Sequence, residues 1–485
     1  MSRLVPLIAL AGLLLAGCAQ VRPQAAFDDV RATLDGRTGA DARWITGATE
    51  DAEARAAVAR LLADSLTSDA AVQVALLNNR HLQATYEDLG LAQAALVQAG
   101  LLANPVFGAG VLWPLGGGAP DLRFRAAFEF LDVLYVPLRR RVAASEYEAA
   151  RARAASAVLA LAGRTRVAFV RAQADAARLA AQRRIVGAAE AGYTASRLLR
   201  DAGNVTAVDL LAEQALYEDA RLELVALEAR AAESRDAFAR LLGLAGPAAS
   251  LRLAGALPPV PAAPDEPFVS RDAAGEPVLD VAAIERAAVA ASLDLAAARA
   301  DLDAAARRAG VARPESVLPS LSSGGELERS DGEWEAGPEA SVRLPLFDAG
   351  QARRAAAQSD LRRRIALYEA TAVDVRASAR TLAARVAAAR RTAVQYQTVV
   401  LPLRAELVRQ TLLQYNAMQV GVFNLLQAQQ LEAAAVRRTV DAVEAYWTTR
   451  ADLDLLLAGV APDVSAGAVS PAPRTVAPAA SADAH

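Results

Sequence analysis

Hydrophobic and polar positions along this chain change period in a fixed order, and the order occurs twice. From Asp69 to Leu102, apolar residues (Val72, Leu76, Leu82, Tyr86, Leu89, Leu96) recur near helical spacing, and Asn104-Pro105 ends the run. The pattern then alternates: Leu122, Phe124, Ala126, Phe128 and Phe130 fall on one side, Arg123, Arg125 and Glu129 on the other. Period two with one greasy and one wet side predicts a strand. Residues 106–113 are its partner, and 114–120, with Gly116-Gly117-Gly118, are the hairpin loop. A very long helix over about 138–201 comes next, then a turn at Asp201-Ala202-Gly203-Asn204 and a shorter helix over about 207–243.

The second copy repeats the design. Trp334, Ala336, Pro338, Ala340, Val342 and Leu344 alternate with Glu333, Glu335, Glu339 and Arg343, opposite a partner strand at about 318–329. From Leu361, steps of four and three land on Ile365, Tyr368, Ala372, Val375, Ala379, Leu382, Val386, Ala389, Ala393, Tyr396, Val400, Leu403 and Leu407, all apolar. A sustained 3.5-residue period predicts a left-handed coiled coil. That helix, about 349–414, is roughly 100 Å long, and its counterpart roughly 95 Å. Pro402 is expected to kink it without ending it. The chain turns again near Gln419-Val420-Gly421, and a shorter helix returns over about 422–458.

The two copies superpose in sequence. Leu82–Leu89 lies over Leu295–Leu302 and Arg140-Arg141 over Arg353-Arg354 at an offset of 213, and Asp209-Leu210-Leu211 over Asn424-Leu425-Leu426 at 215. So long a unit is no solenoid element; it is a duplicated half. The organisation is a first repeat at 66–244, a Pro-, Gly- and Ala-rich linker at 245–277 and a second repeat at 278–459, with an extended arm at 18–65 and a disordered tail at 460–485.

Composition narrows the chemistry. Aromatic residues are 5 % of 485, and small apolar residues suit close helix-on-helix packing. A net charge of −3 argues against nucleic-acid partners. The chain has two His and one Cys, which leaves no constellation for a metal centre, a cofactor or an enzyme. His81 in a helix reads as structural, and the glycine run lacks the Lys and Ser or Thr of a phosphate loop. Glu333, Glu335 and Glu339 on one strand face read as wetted channel-lining residues, not paired catalytic carboxylates. At the N-terminus, Arg3 precedes an apolar run to Ala16, too short to span a bilayer, ending Leu15-Ala16-Gly17-Cys18. Residues 1–17 read as a signal peptide, and the ending resembles a bacterial lipobox in which Cys18 is lipidated.

The strand pairs supply four strands per chain, of bilayer length and greasy on one side. Four strands cannot close, so other subunits are needed; three copies give twelve strands around a lumen. Lipobox, duplicated halves, hairpins ahead of very long helices, and Leu346-Phe347-Asp348-Ala349-Gly350 at a long-helix start together resemble the TolC-like outer membrane efflux proteins, over about 66–459. The resemblance implies a mostly α fold with a small β part: a long coiled-coil helical barrel on a 12-stranded transmembrane β-barrel, shared by a homotrimer. It implies an outer-membrane channel-tunnel, with helices in the periplasm, that passively conducts substrates from a periplasmic adaptor and an inner-membrane transporter. It places adaptor contact at a periplasmic tip formed by Gly203, Asn204, Gly421, Val422 and Phe423. The acidic residues ringing the family's narrowest point fall on Asn424 and Gln427, both neutral here, so Asp209 is either a replacement gate carboxylate or a plain N-terminal helix residue. The rival reading is a periplasmic coiled-coil scaffold lipoprotein whose strands form a soluble sheet.

Overall fold

The computed structural model describes residues 23–462 apart from 114, 116–119, 247–250, 262–267, 272–276, 318–320, 331–332 and 343–345. The signal peptide, Cys18, the glycine run and the tail beyond 462 lie outside the described residues.

Each repeat opens with two helices where the periodicity predicts one. In the first they are α3 (Ser68–Asn78) and α4 (Arg80–Ala99), in the second α7 (Val281–Ala291) and α8 (Leu293–Val317). The breaks fall on Asn79 and Ser292, at the 213 offset. Asn79 Oδ1 accepts the Leu82 N–H at 3.1 Å, and Ser292 Oγ accepts the Leu295 N–H at 3.1 Å. A short polar side chain that satisfies an orphan helix N–H makes a new helix start cheaper than continuing the old one. Upstream, Thr67 and Asp280, again 213 apart, cap α3 and α7. The end of a returning helix docks on each break. A Cβ on Gly243 would fall 2.6 Å from the Asn78 carbonyl oxygen, and one on Gly459 would fall 2.3 Å from that of Ala291. Only glycine, at φ +70° and +115°, fits there.

The N-terminal arm is not extended. It holds α1 (Pro23–Leu34) and α2 (Ala48–Ala63), and Phe27, Val30 and Trp44 are buried. The Phe27 ring meets Tyr86 edge-on at 4.9 Å. This segment takes its order from packing on the first repeat, which a weak internal period does not announce.

The strands are β1 (Val106–Leu112), β2 (Asp121–Glu129), β5 (Leu321–Ser330) and β6 (Glu333–Val342), in one antiparallel sheet ordered β1-β2-β5-β6. The β2–β5 pairing joins the two repeats. Where the linker meets the second repeat, β3 (Val269–Arg271) and β4 (Pro277–Leu279) form a small separate hairpin.

The long helix α5 runs Asp132–Asp201, 70 residues and so roughly 105 Å. Its counterpart comprises α9 (Gln351–Gln395), a π-turn at Tyr396–Val400 and α10 (Leu401–Asn416). The π-turn sits just before Pro402, and the Leu401 N–H reaches back to the Tyr396 carbonyl. A widened turn makes room for the proline ring and lets the helix continue, as the unbroken heptads require. The returning helices are α6 (Ala207–Leu241) and α11 (Val422–Ala458). Val375, Ala379, Leu382 and Val386 of the predicted seam are buried with Ile284 of α7 and Tyr446 of α11. The ends of the seam are bare: Ile365 is 40 % and Leu403 57 % exposed.

Arg178 ties the repeats together. It is 6 % exposed, donates to Asp175 and Asp441 at 2.7 and 2.8 Å, and pairs with Glu444. Burial works against its charge, but the two α11 carboxylates outweigh that and raise its pKa. Asp175 also takes Arg230 of α6 at 3.0 Å. The packed fold extends slightly into the predicted tail, because Val460 is buried and the Ala461 N–H donates to Asp294.

Candidate functional site

Residues directly opposite one another in an antiparallel sheet share a face. The register sets Phe107 against Ala126, Ala109 against Phe124 and Val111 against Leu122; Phe124 opposes Leu327, and Leu327 opposes Ala336. These residues make one apolar face, on which Phe124 and Trp334 stack at 6.3 Å. The charge on that face is Arg329, at the strand end and lying over the Trp334 ring. The other face carries Asp121, Glu129, Glu326, Glu328, Glu333, Glu335 and Glu339 against Arg123 and Arg125. Arg123 Nε bonds Glu328 at 2.8 Å and Arg125 Nε meets Glu339 at 3.0 Å. Glu328 and Glu335 are direct cross-strand neighbours, a like-charge pair offset by Arg123 on Glu328 and by the exposure of Glu335. The apolar face is bare, with Phe107 76 % and Trp334 52 % exposed. Strands β1 and β6 each pair on one side only. No helix among the described residues is long and apolar enough to cross a membrane.

At the far ends of the long helices the chain reverses twice, by the same device. After α5, the Asn204 N–H reaches the Leu199 carbonyl at 2.8 Å and the Gly203 N–H that of Arg200 at 2.9 Å, with Gly203 at φ +77°. After α10, the Gln419 N–H reaches Gln414 and the Met418 N–H reaches Tyr415, both at 2.9 Å, with Met418 at φ +57°. Both are Schellman motifs. The counterpart of Gly203 is therefore Met418, 215 residues on, and not Gly421. Gly421 ends no helix; it is the N-cap of α11 at φ −77°, where Thr206 stands in the first copy.

Thr206 and Asp209 form a reciprocal capping box. The Thr206 N–H and hydroxyl donate to Asp209 Oδ2 at 2.9 and 2.7 Å, and the Asp209 N–H donates to Thr206 Oγ1 at 3.2 Å. These bonds hold the Asp209 carboxyl below the ordinary carboxylate range, and they turn it toward its own chain's Thr206. In the second copy Asn424 and Gln427 are exposed, and Gly421 offers α11 no side-chain cap. Asn204 lies on the first turn, and Val422 and Phe423 open α11 just after the second. Met418 and Thr206 escaped the sequence reading, although the 215 offset points to both.

Residues 136–244 match the family model of the outer membrane efflux protein. No curated protein sequence matches the chain. Among solved structures, the outer-membrane channel OprN superposes with a TM-score of 0.65 at 18 % identity, covering 88 % of this chain and 95 % of that one. A membrane protein from Pseudomonas aeruginosa gives 0.64 at 21 %, covering 83 % and 93 %. The open state of the Neisseria gonorrhoeae MtrE outer membrane channel gives 0.62 at 17 %, covering 80 % and 88 %. The chain thus matches the outer membrane efflux protein model over 136–244 and shares the TolC-like fold of these outer-membrane channels.

Proposed function

We propose that this chain is one third of a passive outer-membrane channel-tunnel for efflux or export. The observation that carries the reading is the two-sided sheet with both edges open. In lipid, each unpaired backbone group costs several kcal/mol, so a four-stranded sheet enters a bilayer only when partners close it. Three copies place twelve strands in a ring, the apolar face outward and the carboxylate-rich face around water. The bare ends of the α9–α10 seam find their partners on neighbouring subunits. Cys18 adds a lipid anchor in the same membrane. Energy comes from an inner-membrane transporter, and a periplasmic adaptor docks on the tips, whose apolar residues Val208, Leu211, Met418 and Phe423 are uncovered. The scaffold alternative leaves the apolar sheet face without a cover.

The test is conductance of the purified protein in a planar bilayer, with cross-linking to count subunits. Discrete steps from a trimer are expected. A water-soluble monomer after removal of the anchor would sink the reading. For the docking assignment, space beside Gly421 is open, with the nearest atom, Asn424 Oδ1, 4.0 Å from a Cβ built there. Gly421→Phe should leave the trimer intact and abolish efflux; unchanged efflux would refute the tip contact.

A further inference from the structure

Between the coil of α5 and α6 and the coil of α10 and α11, just inside the tips, lies a cavity of about 700 Å³. Its lining is mixed, and its apolar part is Ile185 and Leu216 on the first coil and Val408, Leu426 and Val436 on the second. Two polar side chains are buried in its lining. Glu213 is 3 % exposed and makes no hydrogen bond or ion pair among the described residues. Gln182 is 2 % exposed; its amide nitrogen donates to the Ala220 carbonyl at 2.9 Å, and its Oε1 is buried with no partner.

Both groups accept hydrogen bonds; Gln182 Oε1 is buried and unmatched, at a cost of about 1–3 kcal/mol, and the Glu213 carboxylate faces the cavity without a protein donor. A well-packed wall would have replaced or paired them. Gly192 leaves the space that the carboxylate occupies, since a Cβ there would stand 3.1 Å from Glu213 Oε2 and 3.2 Å from Leu426. Ala220, whose carbonyl holds the Gln182 amide, is two helical turns, roughly 10 Å, from Glu213 along α6. Four carboxylates and two guanidiniums line the whole, and one guanidinium, Arg437, is engaged by Glu223 at 3.6 Å. Glu213 and Gln182 are too far apart, and too few, to hold a metal ion. A donor-bearing cation with an apolar body matches the apolar part of the lining, the two acceptors and the charge.

We propose that this cavity binds an amphiphilic organic cation, with a charged N–H group on Glu213, a second donor on Gln182 Oε1 and its hydrophobic body between Ile185, Leu216 and Leu426. Burial raises the Glu213 carboxyl above its usual range, and a cation beside it restores the charged form. Because Glu213 belongs to the first coil and Leu426 to the second, an occupant fastens coil to coil. The site is a property of the helical wall and does not depend on conductance.

The experiment titrates purified, detergent-extracted protein with rhodamine 6G, a fluorescent amphiphilic cation, and reads anisotropy. Fluorescein, an anion of similar ring system, serves as the comparison. The wild type is expected to bind the cation in preference to the anion. Glu213→Gln is expected to weaken binding about tenfold to a hundredfold, the loss of one charge-assisted contact. Leu426→Trp, which fills the cavity without touching charge, is expected to abolish binding and keeps the test decisive if Glu213→Gln fails to fold. Equal binding of cation and anion, no binding by the wild type, or unchanged affinity in a folded Glu213→Gln or Leu426→Trp protein would each overturn the proposal.

Discussion

The two tips have one backbone and two chemistries. Both reverse through a Schellman motif and restart a helix three residues later. The first places Gly203 in the left-handed position and closes the next helix with the Thr206–Asp209 box; the second places Met418 there and starts α11 on Gly421 with no side-chain cap. A non-glycine residue in that region costs about 1–2 kcal/mol. The missing cap interaction adds to the difference. The second tip is therefore the softer of two superposable turns, and it also carries the bare Met418 and the neutral Asn424 and Gln427. Duplication kept the path of the chain while the residues that stabilise the path diverged. If one coil end relaxes first on opening, this asymmetry selects the second.

The comparison can be broken from below. Arg178→Met leaves the half-buried Glu444 without its cation and Asp175 with Arg230 alone, and should cost about 2–3 kcal/mol. The signature is a lowered melting temperature with both tips loosened together in hydrogen exchange. Swapping the turn residues sharpens the contrast. Gly203→Val should destabilise the first tip by about 1–2 kcal/mol, and Met418→Gly should stabilise the second by about 1 kcal/mol. Hydrogen exchange at 204–210 and 419–425 separates the two, and equal exchange in the wild type would contradict the asymmetry. Thr206→Ala should cost the first tip about 1 kcal/mol, bringing its protection down to that of the second. The smallest effect concerns pH. Asp209 has a folded pKa below its unfolded value of 3.8, so its contribution is fully present above that value. It is lost as pH falls through the lower folded pKa. Acidification below about pH 4 should lower the first tip's protection, measured against the intrinsic exchange rate at each pH, while the second, which lacks a carboxylate, serves as an internal control.

Strands and long helices were legible because their patterns are long. The predicted hairpins at 106–130 and 318–344 lie within a few residues of β1–β2 and β5–β6, and the heptad from Leu361 runs through the helix found there. Single-residue decisions were not legible. Asn79 and Ser292 each break a helix, yet the apolar spacing continues across them, so nothing in the period marks the cap. Gly421 drew the eye as a turn glycine, while the left-handed residue is Met418, a type that seldom signals φ above zero. Helices α1 and α2 owe their order to Phe27 and Trp44 packing on a distant part of the chain. The cavity depended on Gln182, Glu213 and Leu426, three positions on three helices that only the tertiary structure brings to one wall.

The unpaired edges of β1 and β6 have a genetic consequence. On the three-copy reading, no subunit closes its own ring, and the open edges of β1 and β6 are completed by other copies of the same chain. A variant that corrupts β6 but spares the helices would still be recruited into assemblies and would spoil the sound copies beside it. On the three-copy reading, co-expression of such an allele with the wild type in equal amounts leaves roughly one assembly in eight free of it. Lesions in the sheet should therefore be dominant, and lesions that unfold the chain before it can be recruited should be recessive.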